Sequence, residues 1–274
     1  MNSTLENTNE EQAALAFTRQ SKLFDGLYSS NTIVQYKRER VRQHLQQWLR
    51  PQSHILELNS GTGEDAVWLA QQGHSIHATD ISAGMQAVLK EKSVRNHVEE
   101  KITTEQISFT QLDQLKRSDN YDAIFSNFAG LNCTTELDKV LLSFPGLLKP
   151  GGTVTLVILP RFCLWEFLLL FRGRFKTAFR RLFSGKGTNA RVEGVYFKCR
   201  YYDPSYIIKA MGKNFNLLAI EGLCTLVPPS YMEGFAEKHP RLYNALRKKE
   251  DKWKTKWPWK YVGDYYIISL RKKD

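Results

Sequence analysis

Four residues in the first half of the chain have the types and spacing of a ligand site. Glu57 falls near the end of an apolar segment, Gly61 and Gly63 follow it in a tight turn, and Asp80 ends the next apolar segment. Glycine lets a backbone turn sharply and approach a ligand closely, because it has no Cβ. A carboxylate about 20 residues beyond such a turn can accept both hydroxyls of a ribose. The pattern therefore predicts a strand–turn–helix–strand unit that binds a nucleoside.

The glycine spacing alone does not identify that nucleoside. The third glycine of a dinucleotide fingerprint is replaced by Ala66, which some dinucleotide sites also accept. The sequence of the turn, E57-L-N-S-G-T-G63, resembles motif I of the class I S-adenosylmethionine-dependent methyltransferases. Four later segments resemble that family in its order and spacing: T79-D-I-S82 with Met85, I107-S-F-T-Q-L-D113, Y121-D-A-I-F-S-N127 and L147-L-K-P-G-G152.

The resemblance implies S-adenosylmethionine as the cofactor. It implies that Glu57 orients the turn and the methionine amino group, and that Gly61 and Gly63 admit the cofactor. It further implies that Asp80 takes the ribose hydroxyls and that Asn127 lies beneath the methionine end. No metal site is implied, and no catalytic residue can be named, since the family has no universal set of catalytic residues.

The resemblance also assigns the adenine end of the cofactor. Ile81 and Met85 would line the adenine ring, and Leu112 and Asp113 would hold its edge. Asn59 stands where the family most often has glycine. If that position requires a positive φ, Asn is the residue that tolerates it next best, and its side chain could also contact the cofactor.

Residues 13–50 precede this unit and are predicted to be helical. In families of this kind such a segment often folds over the cofactor pocket, and F24-D-G-L-Y28 resembles that lid, which would place Tyr28 at the cofactor. An alternative interpretation is that Phe24 and Tyr28 simply pack a helix onto the core. The polar residues 1–12 are predicted to form a disordered tail.

Composition agrees with a globular protein of 274 residues, 42% of them hydrophobic. The chain has no run of 18 uncharged apolar residues and a polar, acidic N-terminus, which predicts neither a spanning helix nor a signal peptide. Its four cysteines form no CxxC pair, which is typical of a reduced, cytoplasmic protein without zinc or an iron–sulfur cluster. The absence of a C-x-x-x-C-x-x-C run excludes radical use of the cofactor.

Charge divides the chain in two. Residues 1–150 contain 15 Lys and Arg against 18 Asp and Glu, whereas residues 151–274 contain 24 against 10. The half with the nucleoside motif is mildly acidic and the later half is strongly basic, so the later half is where a partner or substrate should be sought.

The resemblance implies an α/β fold with a Rossmann-like, seven-stranded, mostly parallel sheet. Its strand order would be 3-2-1-4-5-7-6, with the last strand antiparallel and an α-rich cap. Apolar segments predict the strands near 54–58, 75–80, 105–110, 121–126, 153–159, 215–220 and 265–270. The predicted divisions of the chain are a lid (13–50), a cofactor-binding core (51–160), cap insertions (161–200 and 222–260) and the rest of the core sheet (201–221 and 261–274).

The first insertion opens with aromatic and leucine residues beside a basic stripe, from Arg161 to Phe183. If this segment is a helix, it resembles one that lies at a membrane interface and reaches a lipophilic substrate, so a peripheral membrane location is a hypothesis. Three alternatives remain open: a cap packed on the protein's own core, a helix that contacts a partner or a second copy, and a nucleic-acid surface.

The second insertion combines lysines with Trp253, Trp257 and Trp259, which could stack on bases, lie at lipid headgroups or anchor the cap. A nucleic-acid function is disfavoured because strand four does not end in the D/N-P-P-Y/F run of enzymes that methylate base nitrogens. No recognisable RNA-binding module is present either.

The sequence thus predicts methyl transfer to O, N or C of a small, lipophilic or aromatic metabolite. Arg161, Tyr202 and Tyr231 are candidate substrate contacts, because the family builds specificity in such insertions. The alternatives are an RNA or protein methyltransferase that uses the basic half, and a cofactor-binding module without catalysis.

Overall fold

The apolar segments of the sequence form the strands of one central sheet in the computed structural model, which describes residues 8–116, 120–185 and 187–274. The sheet order is β3-β2-β1-β4-β5-β9-β8, and the first five strands pair in parallel. The last strand in sequence is antiparallel to both of its neighbours. The strands are His54–Leu58 (β1), Ser75–Asp80 (β2), Ile102–Gln106 (β3), Tyr121–Ser126 (β4), Leu148–Ile158 (β5), Phe215–Leu223 (β8) and Tyr265–Lys272 (β9).

Counted within the sheet alone, this order is 3-2-1-4-5-7-6, so the predicted fold class is confirmed. One unpredicted element is a hairpin of Thr188–Val192 (β6) and Val195–Cys199 (β7) inside the first insertion, which is therefore not purely helical. The third strand was placed wrongly near 105–110: it ends at Gln106, and Phe109–Gln114 forms a 3-10 turn.

Helices cover both faces of the sheet and bury two apolar clusters against it. Their amino ends are capped as the sequence allows: the Asn31 side chain accepts the N–H groups of Ile33 and Val34, and Ser82 accepts that of Met85. The helices are Asn9–Ser29 (α1), Thr32–Gln46 (α2), Glu64–Gln71 (α3), Ala83–Arg95 (α4), Leu137–Leu147 (α5), Leu164–Leu168 (α6), Phe175–Phe179 (α7), Pro204–Met211 (α8), Phe235–Lys238 (α9) and Pro240–Trp253 (α10).

Helix α1 begins earlier than predicted. Thr8 and Glu11 form a capping box, so residues 8–12 are the cap and first turn of a helix and not a disordered tail; residues 1–7 lie outside the described residues. The helix then packs on α4 at Gly84, where an added Cβ would lie 2.8 Å from the Ser21 hydroxyl oxygen. The Thr18 and Ser82 hydroxyl oxygens, 2.7 Å apart, join the same two helices.

The segment 161–183 is not one continuous helix. Gly173 adopts a φ of 70° and separates a 3-10 turn, Leu169–Arg172, from α7. Arg180 and Arg181 both bind the buried carboxylate of Glu166. Arg180 remains partly exposed, whereas Arg181 is buried and also binds Asp264 at 2.7 Å. In the described part of the chain, no helix is long and apolar enough to cross a membrane.

The buried carboxylate of Glu250 on α10 connects the second insertion to the core. It accepts the backbone N–H groups of residues 224–227 at 2.8–3.0 Å and the hydroxyl of Tyr36 at 3.0 Å. Because a buried donor without an acceptor is destabilising, this one side chain fixes the path of the chain after β8.

We expect Glu250→Ala to lower the free energy of unfolding by about 3 kcal/mol or more, since several buried N–H groups lose their acceptor. Denaturant unfolding monitored by circular dichroism measures this change. The adjacent Asp251→Ala, at a side chain 65% exposed, is the matched control. Equal stabilities of the two variants would contradict the structural role of Glu250.

Candidate functional site

A cleft opens at the carboxyl ends of β1, β2 and β4. It lies where the strand order reverses between β1 and β4, the position at which open α/β sheets bind their ligands. The space inside it, with the open mouth included, is about 880 Å³. We call it the main pocket; it is lined by Glu10, Ala13, Ala14, Phe17, Phe24, Arg38, Glu57, Asn59, Ser60, Gly61, Thr62, Glu64, Asp65, Asp80, Ile81, Met85, Phe109, Asn127, Phe128, Gly130 and Cys133.

The turn after β1 forms the floor of the main pocket. Asn59 and Gly61 have φ values of 46° and 55°, so position 59 does require the left-handed conformation that Asn tolerates. The Asn59 side chain is used within the protein: it donates to the Asn127 carbonyl at 2.9 Å and accepts from the Ser126 hydroxyl at 2.6 Å. It therefore fastens the end of β1 to the end of β4.

Asp80 lies at the rim of the same pocket, at the tip of β2. Its carboxylate accepts the backbone N–H groups of Gly61 and Ser82 at 2.9 and 2.8 Å. Burial raises the pKa of Asp80, while these two bonds oppose the shift. A carboxylate has about four acceptor positions, so two remain for a vicinal diol such as that of a ribose.

A buried group of charged residues contributes to the wall of the main pocket. Asp65 on α3 binds Arg38 at 3.0 Å, Arg42 at 2.8 Å and the Asn127 amide at 2.7 Å. Burial alone would raise the pKa of Asp65, but Arg38 and Arg42 outweigh it and hold the pKa below its ordinary value. Asp65 is therefore an anion whose charge is fully engaged inside the protein.

Glu57 is the buried acid that is not engaged in this way. Its Oε2 atom is buried and has no hydrogen-bond partner among the described residues. Burial, followed by the nearby negative charge of Asp65, raises the pKa of Glu57 well above its ordinary value. An unsatisfied carboxyl in a pocket wall fits a ligand that brings a cationic donor, as the amino group of S-adenosylmethionine would.

Helix α1 closes one side of the main pocket with Phe17 and Phe24. Polar contacts hold it there: the Thr62 hydroxyl donates to Asp25 at 2.6 Å. The Glu10 carboxylate accepts the hydroxyls of Ser108, Thr110 and Thr134. Helix α1 thus forms part of the pocket wall, and its role as a lid stays a prediction.

Of the expected cofactor residues, seven line the main pocket and four do not. Gly63 instead begins α3 with a φ of 79°, where a Cβ would lie 2.4 Å from Leu89 Cγ. Leu112 is buried in the core and Asp113 points to solvent, because the chain turns after β3 and presents Phe109 to the pocket. Tyr28 packs on Phe24, with ring centroids 4.7 Å apart, and lines a neighbouring pocket.

The three expected substrate contacts do not line the main pocket. Tyr202 is a core residue whose hydroxyl donates to the Thr134 carbonyl at 3.1 Å. Arg161 is exposed, and its side chain donates to the Leu182 carbonyl at 3.3 Å. Tyr231 is 52% exposed on the second insertion.

A second cleft adjoins the main pocket and shares four residues with it, Phe17, Phe24, Arg38 and Phe128. Its volume is about 600 Å³, open space included. We call it the side pocket; its remaining lining residues are Tyr28, Val34, Lys37, Ser230 and Tyr265. Apart from Tyr28, sequence reasoning missed this set, although the aromatic residues of α1 and the end of β4 at S126-N-F-A129 lie in segments that it had singled out.

Strained backbone marks the boundary between the two pockets. Phe128 and Ala129 both have positive φ, 48° and 61°, which is uncommon for residues other than glycine. The Asn127 side chain accepts the Phe128 N–H at 2.7 Å and holds this turn. Such strain clusters at functional sites, and here it aims the Phe128 ring at the junction of the pockets.

Comparison with known proteins agrees with this geometry. Residues 55–152 match the family model described as a methyltransferase domain. Two curated demethylmenaquinone methyltransferases of Bacteroides fragilis are 34% identical to this chain over 117 residues, 40% of this chain. The match spans 45% of those relatives, less than half of their length.

Solved structures resemble the whole chain at low identity. The crystal structure of the [4+2]-cyclase SpnF has a TM-score of 0.63 at 15% identity, with 96% of both chains covered. A Burkholderia thailandensis 1,6-didemethyltoxoflavin-N1-methyltransferase, solved with 1,6-didemethyltoxoflavin and S-adenosylhomocysteine, has a TM-score of 0.56 at 14% identity, covering 100% of this chain and 94% of the other.

The fold and the main pocket define a class I methyltransferase architecture. Residues 55–152 match a methyltransferase domain, and the sheet has the fold of solved S-adenosylmethionine-dependent methyltransferases. The cofactor of this class is S-adenosylmethionine, and the donors and acceptors of the main pocket fit it.

We expect the affinity for S-adenosylhomocysteine to fall as the pH is lowered from neutrality towards about pH 4, the ordinary range of a glutamate. Because the pKa of Glu57 is raised, this carboxyl takes up a proton at a higher pH than an ordinary glutamate does, and it then loses its attraction for the amino group. Calorimetric titration at several pH values measures the effect. Glu57→Gln should bind more weakly at neutral pH and show a flatter pH profile; an unchanged profile would contradict the assignment.

Proposed function

We propose that this protein transfers a methyl group from S-adenosylmethionine to O, N or C of a small, lipophilic or aromatic acceptor bound in the side pocket. The observation that supports the proposal is the connection between the two pockets. Four shared residues bring an acceptor in the side pocket next to a cofactor in the main pocket. Methyl transfer requires such adjacency, because the acceptor atom must lie in line behind the methyl group.

The walls of the side pocket support an acceptor with a flat apolar body. Phe17, Phe24, Tyr28, Phe128 and Tyr265 supply five aromatic rings around it. Aromatic side chains bind planar apolar groups by offset or edge-to-face contacts and exclude water from them. Stacked aromatic walls favour such an acceptor over a sugar.

The cofactor, when bound, supplies a methyl group that is already activated by its sulfonium. The protein's own residues then have three tasks. Glu57 and Asp80 bind the two ends of the cofactor, Phe128 and Arg38 orient the acceptor at the junction, and Phe17 and Phe24 on α1 keep water out. No residue is assigned as a general base.

Fold resemblance alone does not carry this proposal, since the neighbours include a cyclase. A cofactor-binding module without catalysis is the second candidate. One observation distinguishes the methyltransferase from the module. The module would bind S-adenosylhomocysteine but would transfer no methyl group from S-adenosylmethionine to aromatic acceptors.

We expect Asp80→Ala to weaken S-adenosylhomocysteine binding about tenfold or more, as the loss of charge-assisted hydrogen bonds to the ribose requires. Isothermal calorimetry measures the affinity. Asp138→Asn, at an exposed residue of α5 whose carboxylate accepts the Tyr206 hydroxyl at 2.7 Å, is the control. No binding by the wild type, or equal binding by Asp80→Ala, would contradict cofactor use.

We also propose that residues 161–183 contact an anionic membrane surface. Phe171, Phe175 and Phe183 are 84%, 62% and 83% exposed, and no core covers them. The exposed cations Arg172, Arg174 and Lys176 lie among these rings in the sequence. Aromatic rings beside cations suit the interface of a bilayer with acidic headgroups, the source from which a lipophilic acceptor could come.

We expect the protein to co-sediment with vesicles of phosphatidylcholine and phosphatidylglycerol more than with phosphatidylcholine alone, and less at high salt. The double change of Phe171→Ser and Phe183→Ser should abolish most of the binding. Tyr196→Ser, which removes an exposed aromatic of the hairpin, is the matched control. Equal sedimentation of both variants with anionic vesicles would contradict the membrane contact.

A further inference from the structure

Lys37 on α2 is a buried cation in the wall of the side pocket. Lys37 is only 2% exposed to solvent, and its ammonium donates a hydrogen bond to the Ser230 hydroxyl at 3.0 Å. The same ammonium lies 4.6 Å from the ring centroid of Tyr265 and 5.6 Å from that of Phe128. All three neighbours also line the side pocket, so the charge faces the space in which we place the acceptor.

The neighbouring cations of the same helix show what Lys37 lacks. Arg38 is paired with Asp65 at 3.0 Å and Arg40 with Glu221 at 2.8 Å. Within residues 8–116, 120–185 and 187–274, no carboxylate forms an ion pair with Lys37. A lysine has three donors, of which Ser230 satisfies one, and the two ring faces are weaker partners.

The burial of the Lys37 ammonium without a carboxylate partner destabilises the folded protein unless a ligand supplies the missing negative charge. A buried ammonium without a counter-ion lowers stability, because its hydration has been lost and nothing of equal strength replaces it. A ligand anion in the side pocket would supply the missing partner as a charge-assisted hydrogen bond.

We infer that the acceptor carries an acidic oxygen, a carboxylate or a phenolate, on its aromatic body, and that Lys37 binds this oxygen. The inference rests on the proposed function and narrows its substrate class. It assigns Lys37 as the residue that discriminates acidic from neutral aromatic acceptors, with Ser230 holding the ammonium in place.

Three aromatic acids of increasing size test the inference: benzoate, 4-hydroxybenzoate and 2-naphthoate, each against its neutral amide. Their affinities are measured by calorimetry with and without S-adenosylhomocysteine. We expect at least one acid to bind about tenfold more tightly than its amide, as one charge-assisted hydrogen bond allows. Lys37→Met should remove this preference, whereas Lys22→Met, at an exposed lysine of α1, should retain it.

Thermal unfolding gives an independent readout of Lys37. If the ammonium serves the ligand, Lys37→Met should unfold at the same temperature as the wild type or higher, because an uncompensated buried charge has been removed. A lower unfolding temperature together with an unchanged preference for acids would overturn the inference. So would amides that bind as tightly as acids, even where S-adenosylhomocysteine binds and the proposed function stands; failure of S-adenosylhomocysteine to bind would instead contradict the proposed function.

Discussion

The buried ion pairs of Asp65 are the interaction on which the site depends. One carboxylate on α3 holds two arginines of α2 and the amide of Asn127 at the end of β4. Three separate elements thus meet at a single charge. Removing one partner of such a buried group leaves the charge of another without a counter-charge, which is strongly destabilising.

This group also sets the character of both pockets. Its negative charge adds to the burial that raises the pKa of Glu57, and a cationic ligand group beside Glu57 would offset both effects. Its hold on Arg38 keeps that guanidinium 4.9 Å from the ring centroid of Phe128, at the junction of the pockets. Asn127, bound on one side by Asp65, on the other stabilises the left-handed turn at Phe128. Cofactor binding and acceptor binding are therefore organised around the same buried charge.

The sequence predicted the sheet well, because strands of a parallel sheet are short apolar segments between helical ones. Glu57, Asn59 and Asp80, which the family motifs singled out, line the pocket wall, since these residues belong to the strand tips and the turn. Leu112 and Asp113 do not line it, because the 3-10 turn after β3 gives their side chains directions that a single sequence does not show.

The side pocket could not be predicted for a different reason. Its two cations, Lys37 and Arg38, belong to K37-R-E-R40, a run of charges of the kind that normally forms a solvated helix surface. Burial of Lys37, Arg38 and Arg40 results from distant partners, such as Glu221 on β8, and a single sequence does not show these pairings. Likewise, Arg180 and Arg181 belong to internal ion pairs with Glu166, which the basic composition of the second half conceals.

The placement of α1 has a consequence for how the molecule is made. This helix is synthesised before the other walls of the pocket, yet its contacts lie far along the chain: Asn9 bonds to Lys198, 189 residues later, and Glu10 to Thr134, 124 residues later. Contacts between such distant residues form late, because closing a long loop costs entropy before it is repaid by contacts. The wall that α1 provides is therefore the first part of the pocket to be synthesised and the last to be put in place.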